Sequence, residues 1–230
     1  MTSAGITHGL LHAAILQFII DRGYAPEVDE LAAQLGRTPS EITQSLYALQ
    51  EYHGVVLHPN STRIWVIHPF SLAPTNFAIR SETRVWWGNC AWCSLGAAAL
   101  LNRDVAITTT LGADGKQVTI HIRNGQIVET GYYVHFPIPM IKAWDNVTYT
   151  CSTMLLFEHP DDIERWCSDH HIAQGDVQPI EHIWQFSRAW YGNHLNPQWE
   201  KWTNQQAKEI FEQFNLTHTV WQLPASNTRF

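Results

Sequence analysis

Apolar residues recur every three or four positions near the start of the chain, at Leu10, Leu11, Ala14, Ile15, Phe18 and Ile19. This spacing predicts a helix that stops at Arg22-Gly23, where a glycine suits a left-handed cap. Val28 to Leu35 predicts a shorter second helix ending at Gly36. A third opens in RTPSEITQSLYALQEYHG, with Ser40 as the expected N-cap and Ile42, Leu46 and Leu49 facing inward. VVLHPNSTRIWVIHP then carries two β-rich runs around Pro59-Asn60-Ser61, the pattern of a hairpin. Three helices followed by a hairpin, over residues 1–70, predict a winged-helix-like unit.

HPFSLAPTNFAI (68–79) has little periodicity and reads as a connection. A second unit, residues 80–230, follows. Val105 to Thr110 and Val118 to Ile122 flank Gly112-Ala113-Asp114-Gly115, and Asn124-Gly125 turns into Ile127 to Thr130. With a further strand around Tyr132 to His135 this predicts an antiparallel meander. Val147, Tyr149 and Cys151 alternate as on one face of another short strand. His159-Pro160-Asp161-Asp162 opens a helix, with proline in the first turn and acids against the dipole. Ile180, Ile183, Trp184, Ser187, Trp190 and Tyr191 share one helical face, and Ala207, Ile210, Phe211 and Phe214 another. The expected fold class is therefore α+β: a three-helix winged-helix-like domain, then a β-meander domain packed with helices.

Composition narrows the function. The 230 residues are 45% apolar and 15% charged, with a formal charge of −7, which disfavours a broad nucleic-acid or anionic-membrane surface. The candidate recognition helix, Glu41 to Tyr52, holds two Glu and no Lys or Arg, and residues 1–75 hold three Arg, no Lys and six acids. A DNA reader needs cations to neutralise phosphates, so a structural or covering role is favoured for this unit. Seven of the 11 Trp fall after position 140, which predicts a well-packed C-terminal half. No apolar run of 18 residues and no leader pattern is present, so the chain reads as cytoplasmic. Four cysteines do not make a secreted disulfide framework, and free thiols are expected.

Cys93 stands where a loop gives way to the Ala/Leu-rich helix SLGAAALLNRD, and a helix start favours a thiolate. Cys90 lies three residues earlier. Such a pair by itself fits a redox couple, two metal ligands or coincidence, but no βαβ context or second close ligand pair accompanies it. Cys151 reads as a small buried hydrophobe at a strand end. Cys167 shares a helical stripe with Ile163 and Trp166, where packing is the favoured reading.

In their order these pieces resemble the alkylmercury lyase (organomercurial lyase) family. AWCSLGAAALLNR (91–103) is similar to the family's Ala-Trp-Cys-Ala-Leu-Asp-type motif opening a helix. DVAITTTLGADGKQVTIHI (104–122) resembles the strand pair that follows it, and CSTMLLFEHPDDIERW (151–166) its second cysteine, apolar run and helix. The resemblance covers most of residues 5–195, and the Trp-rich segment beyond about 196 reads as an extension. It implies a carbon–mercury lyase in which two thiolates, Cys93 and Cys151, hold Hg(II) while a carboxylate helps deliver the proton that releases the organic group. Soft thiolates suit Hg(II), and the acid must reach the departing carbon. The pocket is expected to be lined by Trp87, Trp92 and Tyr149; Cys90 either turns inward as a third thiolate of a trigonal site or lies outside the site, the favoured reading. Where the family has its acid this chain has Gly96, so a proton must come from the Cys93 or Cys151 thiols, water, or another acid such as Asp145.

No cofactor is expected; Hg(II) or another soft metal enters as substrate or product. The implied partners are a small organometallic substrate and a low-molecular-weight thiol or metal-accepting protein, with no nucleic acid and no membrane. Two other readings stand beside the enzyme: a non-catalytic thiolate protein for soft metals, supported by Gly96, and a metal-sensing winged-helix regulator. A two-thiolate site requires sulfurs within about 5 Å, twice a metal–sulfur bond of ~2.3 Å.

Overall fold

A computed structural model describes residues 5–224 and 229–230. Helices α1 (His8–Arg22), α2 (Val28–Leu35) and α3 (Pro39–Glu51) open the chain. The first two end at Gly23 and Gly36, both left-handed, at φ 83° and 63°. The cap of α3 is Thr38 rather than Ser40. Its hydroxyl accepts from the Glu41 N–H while the Glu41 carboxylate accepts from the Thr38 N–H, and Pro39 takes the first helical position. Leu11, Ile15, Leu31, Ile42, Leu46 and Leu49 close the space between the three helices, each completely buried.

The remaining strands are β1 (Val56–Leu57), β2 (Ile64–Ile67), β3 (Phe70–Ser71), β4 (Phe77–Arg80), β5 (Val85–Gly88), β6 (Val105–Thr110), β7 (Gln117–Arg123), β8 (Gln126–Ile127), β9 (Tyr133–Phe136), β10 (Leu156–Phe157) and β11 (Asp176–Pro179). Eight of them form one antiparallel sheet in the order β1-β2-β3-β5-β4-β6-β7-β8. The sheet runs unbroken through residues 68–79, because β3 bridges the hairpin strand β2 to β5. β9, expected to continue the meander, instead joins β10 and β11 in a separate three-stranded sheet. Mixed helix and antiparallel sheet is thus the observed class.

The later helices are α4 (Ala91–Leu101), α5 (Val147–Thr153), α6 (Pro160–His170), α7 (Ile180–Tyr191) and α8 (Asn204–Gln213). Ten of the 11 residues of α4 are buried, as befits an Ala/Leu-rich helix with no polar face. It is clamped between the sheet and α7. A Cβ added at Gly96 would stand 2.2 Å from Tyr191 Cδ2, so the Tyr191 ring lies directly on the helix backbone.

The alternation at Val147, Tyr149 and Cys151 does not make a strand. These residues form α5, capped by the Asn146 side chain accepting from the Tyr149 N–H. The helical period separates Tyr149 from Cys151, leaving Tyr149 exposed and Cys151 buried.

The C-terminal segment covers the core. Trp199, Leu216, Val220 and Trp221 are buried, and the Trp221 indole N–H donates to the Asp176 carboxylate at 2.6 Å. A Cβ at Gly9 would come within 2.6 Å of the Trp199 backbone, so α1 meets this segment at van der Waals contact. No helix among the described residues is long and apolar enough to cross a membrane.

Candidate functional site

Three backbone contacts assemble the site. The Asn89 N–H donates to the Pro69 carbonyl, the Ala91 N–H to the Met154 carbonyl, and the Ser94 N–H to the Cys90 carbonyl. The end of β2, the start of α4 and the end of α5 are thereby stitched together. Cys90 is the N-cap of α4, its Sγ accepting from the Cys93 N–H at 3.2 Å. Cys93 follows in the first helical turn, where unpaired N–H groups and the dipole favour negative charge. Cys151 arrives from α5, and His68 from the loop after β2.

The ligand atoms of Cys93, Cys151 and His68 all lie within 4.8 Å of one another. The two sulfurs are therefore close enough to bracket one soft ion. Cys151 Sγ is 3.6 Å from His68 Nε2, which is in turn 3.3 Å from Asn89 Nδ2. Cys93 Sγ is 3.6 Å from the Tyr191 hydroxyl. Cys90 Sγ stays behind the pair on the Cys93 N–H, while Cys167 sits apart against His135, 3.6 Å away.

Burial acts on all three clustered thiols, and the proton is unequally shared. Burial pushes Cys93 up, yet hydrogen bonds from Cys151 and Cys90, the His68 ring and the Tyr191 hydroxyl outweigh it and hold Cys93 well below the ordinary thiol range. Burial pushes Cys90 well up. Hydrogen bonding to Cys90 and Cys93, then burial, does the same to Cys151. The three thiols are thus pushed apart, with Cys93 the most acidic of the cluster.

A cavity of about 80 Å³ opens on Cys93, Cys151 and His68, with Trp92, Trp144, Trp190, Trp199 and Trp202 among its walls. Trp92 was expected there. Trp87 was too, but it alternates out of β5 into a different groove beside Tyr24 and Arg63. Tyr149, also expected in the wall, faces solvent because α5 is a helix. Among the described residues no Asp or Glu side chain lines the cavity, and Asp145 is exposed outside it. Gly96 presents no side chain, and the Tyr191 ring occupies the space that a Cβ there would need.

Sequence reasoning missed His68, Tyr191, Trp144 and Lys201. His68 is one of 13 histidines and carries no local signature. Tyr191 was visible only as a core position of α7. Lys201 lies in the extension and is 7% exposed.

The sequence profile of the alkylmercury lyase family matches residues 70–192. No curated protein matches the chain. Among solved structures, the mercury-bound form of MerB2 is similar in fold, with a TM-score of 0.62 and 22% identity over 82% of this chain and 94% of that one. The matched segment holds Cys90, Cys93, Cys151 and Tyr191, more than half the chain in all. This protein belongs to the alkylmercury lyase family.

Proposed function

We propose that the protein cleaves carbon–mercury bonds by protonolysis, with Cys93 and Cys151 as the thiols that take the metal. The observation that carries this reading is the convergence of Cys93, Cys151 and His68 within 4.8 Å at the floor of an aromatic cavity. The Cys93 thiolate displaces the exchangeable ligand of R–Hg⁺, forming a sulfur–mercury bond. Cys151 then forms the second sulfur–mercury bond as the carbon–mercury bond breaks. The thiol proton of Cys151 balances the new C–H bond, so R–H leaves and a dithiolate-bound Hg(II) remains. This bookkeeping needs no carboxylate side chain, which accords with a cavity whose described lining has no Asp or Glu. Cys90 supports Cys93 from behind, capping the helix that presents it. A low-molecular-weight thiol in solution removes the Hg(II) product by exchange.

The test is phenylmercury or methylmercury in excess thiol, with benzene or methane measured. Release that disappears in Cys93→Ser supports the proposal. Stoichiometric soft-metal binding without any release supports the second reading, a non-catalytic thiolate protein, which the absence of an acid from the cavity wall favours.

A further inference from the structure

Among the described residues the cavity wall contains one lysine and no Asp or Glu side chain. Lys201 Nζ lies 4.7 Å from the Trp144 ring centroid and 6.0 Å from that of Tyr52. The ion pairs among the described residues all lie elsewhere. The side chain is 7% exposed, and burial pushes the amine down to about 8, which leaves it an ammonium at neutral pH. A desolvated ammonium without a counter-ion is costly, and aromatic faces offset only about 0.5–2 kcal/mol of that cost. An anion entering the cavity would remove the remainder.

Trp144 links this ammonium to the thiols. Its ring carries Lys201 and also meets the His68 ring at 5.4 Å, nearly perpendicular, and His68 touches Cys151. The same cavity is walled by the rings of Trp92, Trp190, Trp199 and Phe230, with His12, His53 and His194 also in the lining. A sulfur pair, an aromatic slot and a buried cation therefore line one space.

We propose that Lys201 anchors a carboxylate carried by the organomercurial, so that the cavity prefers anionic, arene-bearing mercurials to neutral ones. The proposal rests on the assignment of Cys93 and Cys151 as the mercury-binding thiols. The carboxylate has two possible sources, the organic group or the exchangeable thiol bound to mercury, and the chemistry of recognition is the same.

The experiment compares phenylmercury with 4-carboxyphenylmercury in excess 2-mercaptoethanol, and phenylmercury in mercaptoacetate with phenylmercury in 2-mercaptoethanol. Wild type, Lys201→Met and Lys201→Arg are assayed for arene release and for dissociation constants by calorimetry. In wild type the carboxylated arene has a kcat/KM about tenfold higher, expressed through KM. Lys201→Met brings the ratio close to one and Lys201→Arg keeps most of it. A preference seen only with mercaptoacetate places the carboxylate on the thiol and supports Lys201 equally. Equal values within both pairs, or a ratio that Lys201→Met leaves unchanged, overturns the proposal. If no substrate releases arene, the lyase reading fails; the ratio of dissociation constants in wild type and Lys201→Met then decides Lys201 separately.

Discussion

The two walls of the cavity differ in origin and in chemistry. The inner wall, from α4, α5 and α7, lies within the family-matched segment and offers soft sulfur: Cys93 and Cys151, with Tyr191 against them. The outer wall comes from the C-terminal segment beyond that match and offers flat indoles and a hard cation: Trp199, Trp202 and Lys201. Soft donors select the metal, whereas rings and an ammonium select what the metal carries. On the roles proposed above, reactivity and selectivity belong to separate stretches of chain that meet across about 80 Å³ of space.

The most severe way to break this comparison is at the inner wall. Cys93→Ser replaces a stabilised thiolate by a hydroxyl that neither ionises nor binds mercury. Arene release is expected to fall at least about 1,000-fold, with loss of tight Hg(II) retention. Retained turnover would move the nucleophile elsewhere.

At the outer wall the equivalent deletion acts on stability first. Trp199 is 6% exposed and stacks on His12 with ring centroids 3.7 Å apart. Trp199→Ala should cost about 3–5 kcal/mol in chemical denaturation. A loss under 1 kcal/mol would show that the segment merely lies against the core.

Legibility in the sequence follows the same division. Helices α1, α2 and α6 were readable because their start or stop signals at Gly23, Gly36 and Pro160 are strong, and α7 from its apolar face alone. Helix α5 was not, because β-branched and aromatic residues in VTYTCST mimic a strand over seven positions. The available signal was Asn146, a good N-cap. The strand period hid why Thr150 and Cys151 face the cavity while Tyr149 does not. Cys93 was legible from its helix start, and Cys151 through the family resemblance. His68 and Lys201 reach the cavity only through long-range packing, which leaves no local pattern.

The seam between the walls is pH-sensitive. His12 is 1% exposed, and burial drives its pKa down to about 3 despite a hydrogen bond to the His194 backbone. His194 is also held well below its ordinary value, by burial and then by His12 and His68. These rings fold neutral, facing one another and the Trp199 indole. Below the unfolded value near 6.5 the unfolded chain binds more protons, so stability is complete above pH 6.5 and declines towards pH 3. At pH 5, His12 alone accounts for about 2 kcal/mol. His12→Asn should flatten the pH dependence of urea midpoints between pH 7 and 5, and an unchanged slope would refute this origin.

The smallest and most specific effect concerns Gly96, where α4 meets the Tyr191 ring. The Tyr191 ring fills the room that an acid side chain would need: an added Cβ meets Cδ2 at 2.2 Å and Cε2 at 2.3 Å. Gly96→Ala should therefore overpack this helix crossing, at a cost of about 1–3 kcal/mol, even though alanine is the better helix former. In Tyr191→Leu the ring edge is gone, and adding Gly96→Ala to it should cost about 1 kcal/mol less than in wild type, a coupling that a double-mutant cycle reads directly. Additive costs would mean that the ring moves aside freely. Coupled costs would mean that glycine and tyrosine are a matched pair, with the hydroxyl against Cys93 dependent on the missing side chain. An aspartate introduced at position 96 alone would then displace Tyr191 before it met any substrate.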